Sequence, residues 1–503
     1  MDLFVNPTHR LTALTLSAAS LALATASPAH ADTLRDALAA AYNNNPTLQA
    51  ARANQRATDE NVPISKADGL PSIDATNNLI EFVRANANNF FQPARALTSS
   101  VNVGVPVYSG GAVKNSIKAA KERISAGKAD LRGTESAIFS QTVAAYLDVL
   151  RTEALTGLAS NQVDVLTVNL EATSDRFQIG DLTRTDVAQS QSRLAIAQGD
   201  LETARANLVA ARETYIQLVG RAPVELAAPP PLPGLPGDVS DAVTIALESN
   251  PDYLAAKERA EAAGWDAEVS GSGRLPRLSL FGTYEYNNTL GTVPDQVIPG
   301  SGPNDAPTII PTPQVTTGIR AGVTLTIPIF QAGRVAAQQR QAYARETAAL
   351  EQVIETERNI IQQTRSAYVR WRAALAVIDS SRVAVESSEV SLEGVRAENS
   401  IGNRTILDVL NAEQELVQSK AQLVTARRDA YVAGFTLLAA MGRAEARDLN
   451  LDTGGVLYDP DVNYERVKGK IWDWDRDPEP APNSTRTVDI PAATATYGPV
   501  DIE

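Results

Sequence analysis

The most constraining feature of this sequence is a duplication that spans most of the chain. Asn45-Pro46 recurs as Asn250-Pro251, and Leu70-Pro71 as Leu275-Pro276, in both cases 205 residues later. A second set of matches is 222 residues apart: Val105-Pro106-Val107-Tyr108 with Ile327-Pro328-Ile329-Phe330, Ile179-Gly180 with Ile401-Gly402, Asp186 with Asp408, and Gly220-Arg221-Ala222 with Gly442-Arg443-Ala444. One loop is therefore 17 residues longer in the second copy. Because solenoid repeats are only roughly 20 to 50 residues long, the pattern indicates a duplicated half-molecule.

The duplication organises the chain into five segments. Residues 1–31 have the basic start, apolar stretch and Ala-x-Ala site of a secretory signal peptide. Residues 32–225 and 239–444 are the two structural repeats, and residues 226–238 are a Pro-rich linker between them. Residues 445–503 form an acidic, Pro-rich C-terminal tail, whose composition predicts a largely disordered segment. Within that tail we expect Trp472 and Trp474 to hold part of the chain in place.

The composition excludes several kinds of chemistry. Both histidines, His9 and His30, lie in the signal segment, and the chain has no cysteine. Imidazole-based triads, cysteine nucleophiles and zinc sites built on thiolate or imidazole are therefore excluded. No Gly-rich phosphate loop or EF-hand spacing is present, so we predict no enzyme activity, no cofactor and no metal site. The net charge of −14 argues against a nucleic-acid partner.

Each half has the same sequence of predicted elements. A medium helix leads into two strands, which are followed by a very long helix and another medium helix. Apolar residues alternate over Val101–Val107 and Ile319–Ile329, as in strands with one apolar face. The proline-free stretches Ala112–Ile179 and Arg334–Ile401 would each form a helix about 100 Å long. These patterns predict a mainly α chain with a small β part.

Two strands per half give four strands per chain, and four strands cannot close a membrane barrel. Outer-membrane barrels begin at about eight strands, and an open sheet with one apolar face would aggregate. If the strands meet lipid, the chain must assemble with copies of itself. Two, three or four copies would supply roughly eight, twelve or sixteen strands, and the strand count alone leaves these alternatives open.

Several motifs together carry a family resemblance. Leu-Pro precedes the first strand of each half, Val/Ile-Pro-Val/Ile-Tyr/Phe-x-x-Gly closes the second, and Ile-Gly-x-x-Thr-x-x-Asp-Val follows each long helix. Over about residues 32–444 the chain resembles the TolC family of trimeric outer-membrane efflux and type I secretion channel proteins. The resemblance implies a homotrimer with a 12-stranded transmembrane β-barrel, continued by a long periplasmic α-helical coiled-coil barrel.

The function implied by this resemblance is a passive exit duct in the outer membrane of a Gram-negative bacterium, in contact with outer-membrane lipid. Its periplasmic tip would be opened by an adaptor (a membrane fusion protein) and an inner-membrane transporter of the ABC or RND type. Such a tripartite system exports proteins by type I secretion, exports drugs, or does both. The alternative is a periplasmic coiled-coil adaptor or scaffold, which would need long helices but no alternating strands.

Two Thr-x-x-Asp motifs, Thr183 to Asp186 and Thr405 to Asp408, follow the long helices and predict N-terminal caps. The resemblance adds that Asp408 forms an acidic ring at the inner mouth of the trimer. Three such charges should repel one another and raise their own pKa values. Many members of the family carry a second acid one turn further on. This chain has Asn411 there, so we expect weaker cation binding.

The resemblance also assigns roles to other residues at the turns. Arg404 resembles a residue that holds the tip closed by bonding to the neighbouring helical hairpin, with Asp186 as the expected partner. Asn399 stands where an aromatic residue is often found near this latch. The tips that would meet the adaptor are Ile179-Gly180 and Ile401-Gly402.

Overall fold

The computed structural model describes residues 32–83, 92–302, 305–451 and 457–496. The predicted signal peptide, residues 1–31, lies outside the described residues. No helix within the described ranges is both long enough and apolar enough to cross a bilayer.

In the first half, the described residues form five helices and two strands. They are α1 (Leu34–Asn44), α2 (Pro46–Asp59), α3 (Asn61–Ala67), β1 (Ser72–Glu81), β2 (Arg95–Tyr108), α4 (Ala112–Gln178) and α5 (Arg184–Val219). The second half repeats this order with α6 (Val239–Ser249), α7 (Pro251–Gly271), a 3-10 turn (Ser272–Arg274), β3 (Arg277–Asn288), β4 (Gln296–Ile298), β5 (Thr308–Ile310), β6 (Val315–Thr326), α8 (Arg334–Ser400) and α9 (Ile406–Ala440). A last helix, α10 (Pro460–Val467), lies in the tail.

The two long helices match the prediction closely. α4 and α8 each contain 67 residues, which corresponds to about 100 Å of continuous helix. Each starts directly after a glycine in the left-handed region, Gly111 with φ 84° and Gly333 with φ 76°. Proline-free sequence permits the length because every interior residue can donate its backbone N–H to the helix.

The medium helix at the start of each half is interrupted, where the sequence predicted one continuous helix in the first half. Asn45 ends α1 in an extended conformation, and its side chain accepts hydrogen bonds from the backbone N–H groups of Thr47 and Leu48. Asn250 does the same between α6 and α7. The repeated Asn-Pro pair is therefore a helix cap followed by proline in the first helical turn.

The four principal strands form one antiparallel sheet in the order β1-β2-β3-β6. β2 pairs with β3 from Leu97↔Asn288 to Tyr108↔Leu278, so the halves join through their inner strands. β1 and β6 are the open edges of this sheet. The lengthened loop contains the additional hairpin β4–β5, in which Val297 lies opposite Ile309. The sequence analysis did not predict that hairpin.

The main hydrophobic core lies where the helices of both halves converge. Large side chains buried there include Phe139, Tyr146, Tyr215 and Phe435. The equivalent tyrosines of the two repeats hold the two ends of the linker. The hydroxyl of Tyr146 donates to the backbone oxygen of Ala227 at 2.6 Å, and that of Tyr368 donates to Gly237 at 2.8 Å.

The described part of the tail differs from the disorder that its composition predicted. Tyr464 of α10 packs against a buried cluster of Val62, Ala120 and Ile124. The amide of Asn463 donates to Asp59 at 2.7 Å. Trp472 and Trp474 do not hold the tail in place, because both side chains are largely exposed. A few residues of α10 attach the tail. The overall composition of the tail does not show them, because most of its other residues are polar, acidic or proline.

Candidate functional site

The two helical hairpins, α4–α5 and α8–α9, end in turns of the same geometry. In the first, Gly180 has φ +82° and donates its N–H to Phe177, while Asp181 donates to Arg176. In the second, Gly402 has φ +83° and the same two bonds recur. A Cβ on either glycine would meet nothing within 4 Å, so the left-handed conformation rather than lack of space favours glycine.

Each turn exposes an isoleucine next to its glycine. The exposed fraction is 81% for Ile179 and 72% for Ile401. A helical hairpin needs no apolar side chain at its solvent-facing end, so the two isoleucines are available for contact with another protein. The geometry of all four predicted tip residues is therefore that of exposed turns.

The two acidic positions, Asp186 and Asp408, cap the helices that follow the turns. Oδ2 of Asp186 accepts hydrogen bonds from Thr183 N at 2.8 Å and Thr183 Oγ1 at 2.7 Å. Oδ2 of Asp408 accepts the same pair from Thr405 at 3.0 and 2.7 Å. In each case the threonine hydrogen bonds lower the pKa of the carboxyl group. Within one chain, these hydrogen bonds favour the charged form of Asp408. They therefore oppose the increase in its pKa that a ring of like charges would cause.

Arg404 has a different partner within the chain from the one predicted. Its Nε donates to Glu398 Oε2 at 2.7 Å, and Glu398 stands at the end of the same hairpin's first helix. The hydrogen bond and the charge of Glu398 raise the pKa of Arg404. Asp186 is engaged by Thr183 instead. Asn399 donates to the backbone oxygen of Arg404 at 2.8 Å and stabilises the turn.

A cation that the sequence analysis missed joins the two hairpins. Arg193 of α5 donates from Nη2 to Asn411 Oδ1 at 3.0 Å and from Nη1 to Gln414 Oε1 at 2.8 Å. Asn411 and Gln414 are three residues apart and therefore lie on one face of α9. A signal was available, since the equivalent of Arg193 in the second repeat, 222 residues later, is Glu415. The copies differ in charge at that position.

Apolar contacts also join the two hairpins near Arg193. Leu166 of α4, Ala197 of α5 and Leu410 of α9 form a small buried cluster. A groove of about 230 Å³ lies beside it and is lined in part by Arg193 and Gln414. Near the hairpin tips, α9 is thus held against the first hairpin by this apolar cluster and by the forked bonds of Arg193.

On its other side, α9 is held to α8 by an ion pair. Arg396 Nη2 donates to Glu413 Oε1 at 2.9 Å, and Glu413 is only 5% exposed. Breaking such a pair leaves a buried charge without compensation. The polar link between α9 and α8 thus contains a buried carboxylate, whereas the bonds from Arg193 of α5 to α9 are exposed.

The carboxylates at the tips do not form a metal site in the described structure. The one group of acids found close enough to hold an ion among the described residues is Glu122, Glu258 and Glu261, on α4 and α7, with oxygens within 4.8 Å of one another. Burial and a hydrogen bond with Glu122 raise the pKa of Glu258 to about 7. None of these three acids lies at the hairpin tips.

Comparisons with known proteins agree with this architecture. Residues 37–221 and 242–443 match the family model described as outer membrane efflux protein. The chain is 32% identical to the outer membrane efflux protein BepC of Brucella suis, over 89% of this chain and 92% of that protein. It is 26% identical to the outer membrane protein TolC of Escherichia coli, over 63% of each. The Campylobacter jejuni CmeC outer membrane channel superposes with a TM-score of 0.69, at 17% identity, over 87% of this chain and 89% of that one. This last likeness shows the fold alone.

Proposed function

The chain belongs to the outer membrane efflux protein family, and we propose that three copies form one export duct that is closed at the hairpin tips. It is an exit duct in the outer membrane of a Gram-negative bacterium, and its family is one of channels rather than of known enzymes. The trimer, the gate and the partners are the parts that we propose.

The open edges of the sheet support assembly from several copies. Among the residues that the structure describes, β1 and β6 have no neighbour on their outer sides, and an exposed strand edge is a template for pairing with another chain. In β6, Ile319, Val323 and Leu325 are exposed and lie on one face. Pairing β6 of one copy with β1 of the next closes a barrel whose apolar face meets lipid. The resemblance noted above favours three copies and twelve strands.

The helix α8 supports the same arrangement along the tunnel. One side of it packs against α6, α7 and α9. Its other side exposes a series of aliphatic side chains: Leu350, Ile354, Val369, Val377, Val383 and Val390. A helix with apolar residues on both sides is normally buried on both sides. We assign this second side to the next copy.

The gate that we propose combines two features of the second hairpin. Asp408 of each copy contributes to a ring of charge at the inner mouth, where it attracts cations. Asn411, at the position of a second acid in related channels, has its side-chain oxygen occupied by Arg193. It therefore adds no charge to the mouth and helps instead to hold α9 against α5. Arg404, paired with Glu398, stabilises the closed turn.

Opening would separate α9 from α5 and break the bonds of Arg193. The exposed tips at Ile179-Gly180 and Ile401-Gly402 are the surfaces that a periplasmic adaptor would contact, and an inner-membrane transporter of the ABC or RND type would supply the energy. The single observation that carries this proposal is the bond from Arg193 to Asn411 across the two repeats.

The test of the proposed assembly is the mass and conductance of the purified protein. We expect a complex of three chains in detergent, and discrete single-channel currents after insertion into a planar bilayer. A monomer without channel activity would contradict the proposal.

Cargo is tested by deleting the gene and comparing secreted proteins with drug susceptibility. Loss of a secreted protein assigns type I secretion, and drug sensitivity alone assigns efflux.

A further inference from the structure

The C-terminal tail exposes an apolar turn that no other described part of the chain covers. The exposed fractions of Ile471, Trp472 and Trp474 are 78%, 72% and 74%. The other tryptophans of the chain are packed: Trp265 lies under the ammonium of Lys118, and Trp371 lies edge-on against Tyr368. Large exposed apolar groups mark contacts with a protein or a membrane. The tail also lies beyond the residues that match the family model.

The position of this turn follows from the contacts that lead to it. Along the tail, Asp461 meets Lys128, Asn463 meets Asp59, and the backbone oxygen of Lys468 accepts a bond from Lys66 at 2.6 Å. Lys66 lies in the last turn of α3, and β1 begins six residues later, at Ser72. The tail therefore runs along α2 and α3 toward the sheet. At Lys468 it lies near the segment that leads into the start of β1.

Beyond the turn, the tail comes back. Asp477 returns to Arg466, which donates to it twice, at 2.7 and 2.8 Å. Further on, Thr485 lies beside Gly220 at the end of α5. Ile471 to Trp474 is therefore the apex of a loop, and it is the part of the tail furthest along the path toward the sheet.

The apex is held in one shape rather than left free. The N–H of Asp475 donates to the backbone oxygen of Trp472 at 3.1 Å and closes a turn around Trp474. Lys470 pairs with Asp475 at 3.1 Å and with Asp477 at 3.4 Å. These ion pairs compensate Asp475 and Asp477, so the turn presents apolar rings together with one further acid, Asp473, between the two tryptophans.

Two other exposed aromatic residues lie at the end of the sheet that the tail approaches. Tyr108 ends β2, and its counterpart Phe330 follows β6 at the same end of the sheet; both are exposed. Tryptophan and tyrosine are enriched where a membrane protein crosses the boundary between lipid and water. We propose that the tail apex, Ile471–Trp474, is an anchor that inserts into the phospholipid surface of the periplasmic leaflet. This inference rests on the proposed duct, which sets the direction of the membrane.

The experiment uses the full-length protein in vesicles of phosphatidylethanolamine and phosphatidylglycerol, with acyl chains that are either brominated or unbrominated. Bromine quenches tryptophan that lies in the bilayer. Wild type is compared with W472F/W474F, which keeps apolar rings at the apex and removes only their fluorescence. The difference between the two proteins is the emission of the tail pair. We expect brominated lipid to remove more than half of that emission, whereas equal emission in both lipids would overturn the anchor.

A second quencher, acrylamide in the water phase, shows whether lipid or protein covers the two tryptophans. If the tail pair is shielded from aqueous acrylamide and also from brominated lipid, a neighbouring copy covers it, and the proposal is wrong. Channel current is recorded from the same preparation. Quenching by brominated lipid without any current would support the anchor and contradict the duct. Current with an unquenched tail pair would contradict the anchor alone.

Discussion

The guanidinium of Arg193 on α5 donates to the side-chain oxygen of Asn411 on α9 at 3.0 Å, so a hydrogen bond joins the two repeats near the hairpin tips. The same side chain also reaches Gln414. Exposed bonds of this kind contribute about 0.5–1 kcal/mol each, and a trimer would contain three such forks. Their sum is small enough for a partner protein to overcome and large enough to bias a closed state.

Replacement of Arg193 by alanine removes both bonds and should loosen the closed tip. We expect cells that carry this variant to become sensitive to vancomycin, which an intact outer membrane excludes. R205A is the matched control, because Arg205 lies on the same helix and pairs with Glu202 within α5. Equal vancomycin sensitivity of R193A, R205A and wild type would remove Arg193 from the gate.

Replacement of Asn411 by aspartate should have the opposite effect. The new carboxylate would face Arg193 and turn a neutral hydrogen bond into a charge-assisted one, which is stronger. It would also add a second acid to each copy at the inner mouth. We expect a lower resting conductance and stronger block by multivalent cations, both measured on single channels. A higher conductance with unchanged block would show that residue 411 does not face this site.

Replacement of Asp408 by asparagine should weaken block of the current by multivalent cations, because the ring loses its charge. D186N is the matched control, since Asp186 caps α5 with the same pair of threonine bonds. If both variants lose block equally, the effect comes from the caps and not from the charge of Asp408. Unchanged block in D408N would place the cation site elsewhere.

Arg404 should act through its own hairpin. Since it pairs with Glu398, we expect R404S and E398Q to raise the resting conductance to a similar extent. R382S serves as control, because Arg382 pairs with Asp379 along the exposed side of α8. If D186N reproduces R404S and E398Q does not, the latch runs between hairpins as the sequence predicted.

The Glu122–Glu258 pair should make stability depend on pH. Burial and the bond with Glu122 raise the pKa of Glu258 from 4.5 to about 7, so the folded state binds this proton more tightly than the unfolded state. The stabilisation is present below pH 4.5 and is lost as the pH rises through about 7. The midpoint temperature of thermal unfolding should decrease as the pH is raised from about 5 to about 8 in wild type. It should decrease less in E258Q. The exposed Glu268 of the same helix provides the control E268Q, which should behave as wild type. An equal fall in all three proteins would contradict the assignment.

Local patterns in the sequence predicted much of this fold. Proline-free runs predicted α4 and α8, alternation predicted β2 and β6, and the Thr-x-x-Asp spacing predicted the caps at Asp186 and Asp408. These features depend on neighbours within a few residues. The interruption at Asn45 was visible as a repeated Asn-Pro pair, but its capping bonds were not inferred from it.

The missed features depend on residues that are far apart in the chain. Arg193 and Asn411 are 218 residues apart, and no periodicity connects them. The pair of Arg404 with Glu398 is local by contrast, since the two residues are six apart, and a bond of Arg404 to Asp186 between hairpins stays a prediction. The average composition of the tail predicted disorder. Contacts of single residues, such as Asn463 with α2 and Tyr464 with α4, nevertheless attach it.

The most direct test of a duct closed at its hairpin tips is the single-channel conductance of the R193A/R404S double variant beside wild type. The two side chains act on separate contacts, so their effects should approximately add. We predict a low resting conductance for wild type and a conductance higher by about tenfold for the double variant, the change expected from roughly 1.4 kcal/mol in the opening equilibrium. The same low conductance in both proteins would contradict a gate at these residues.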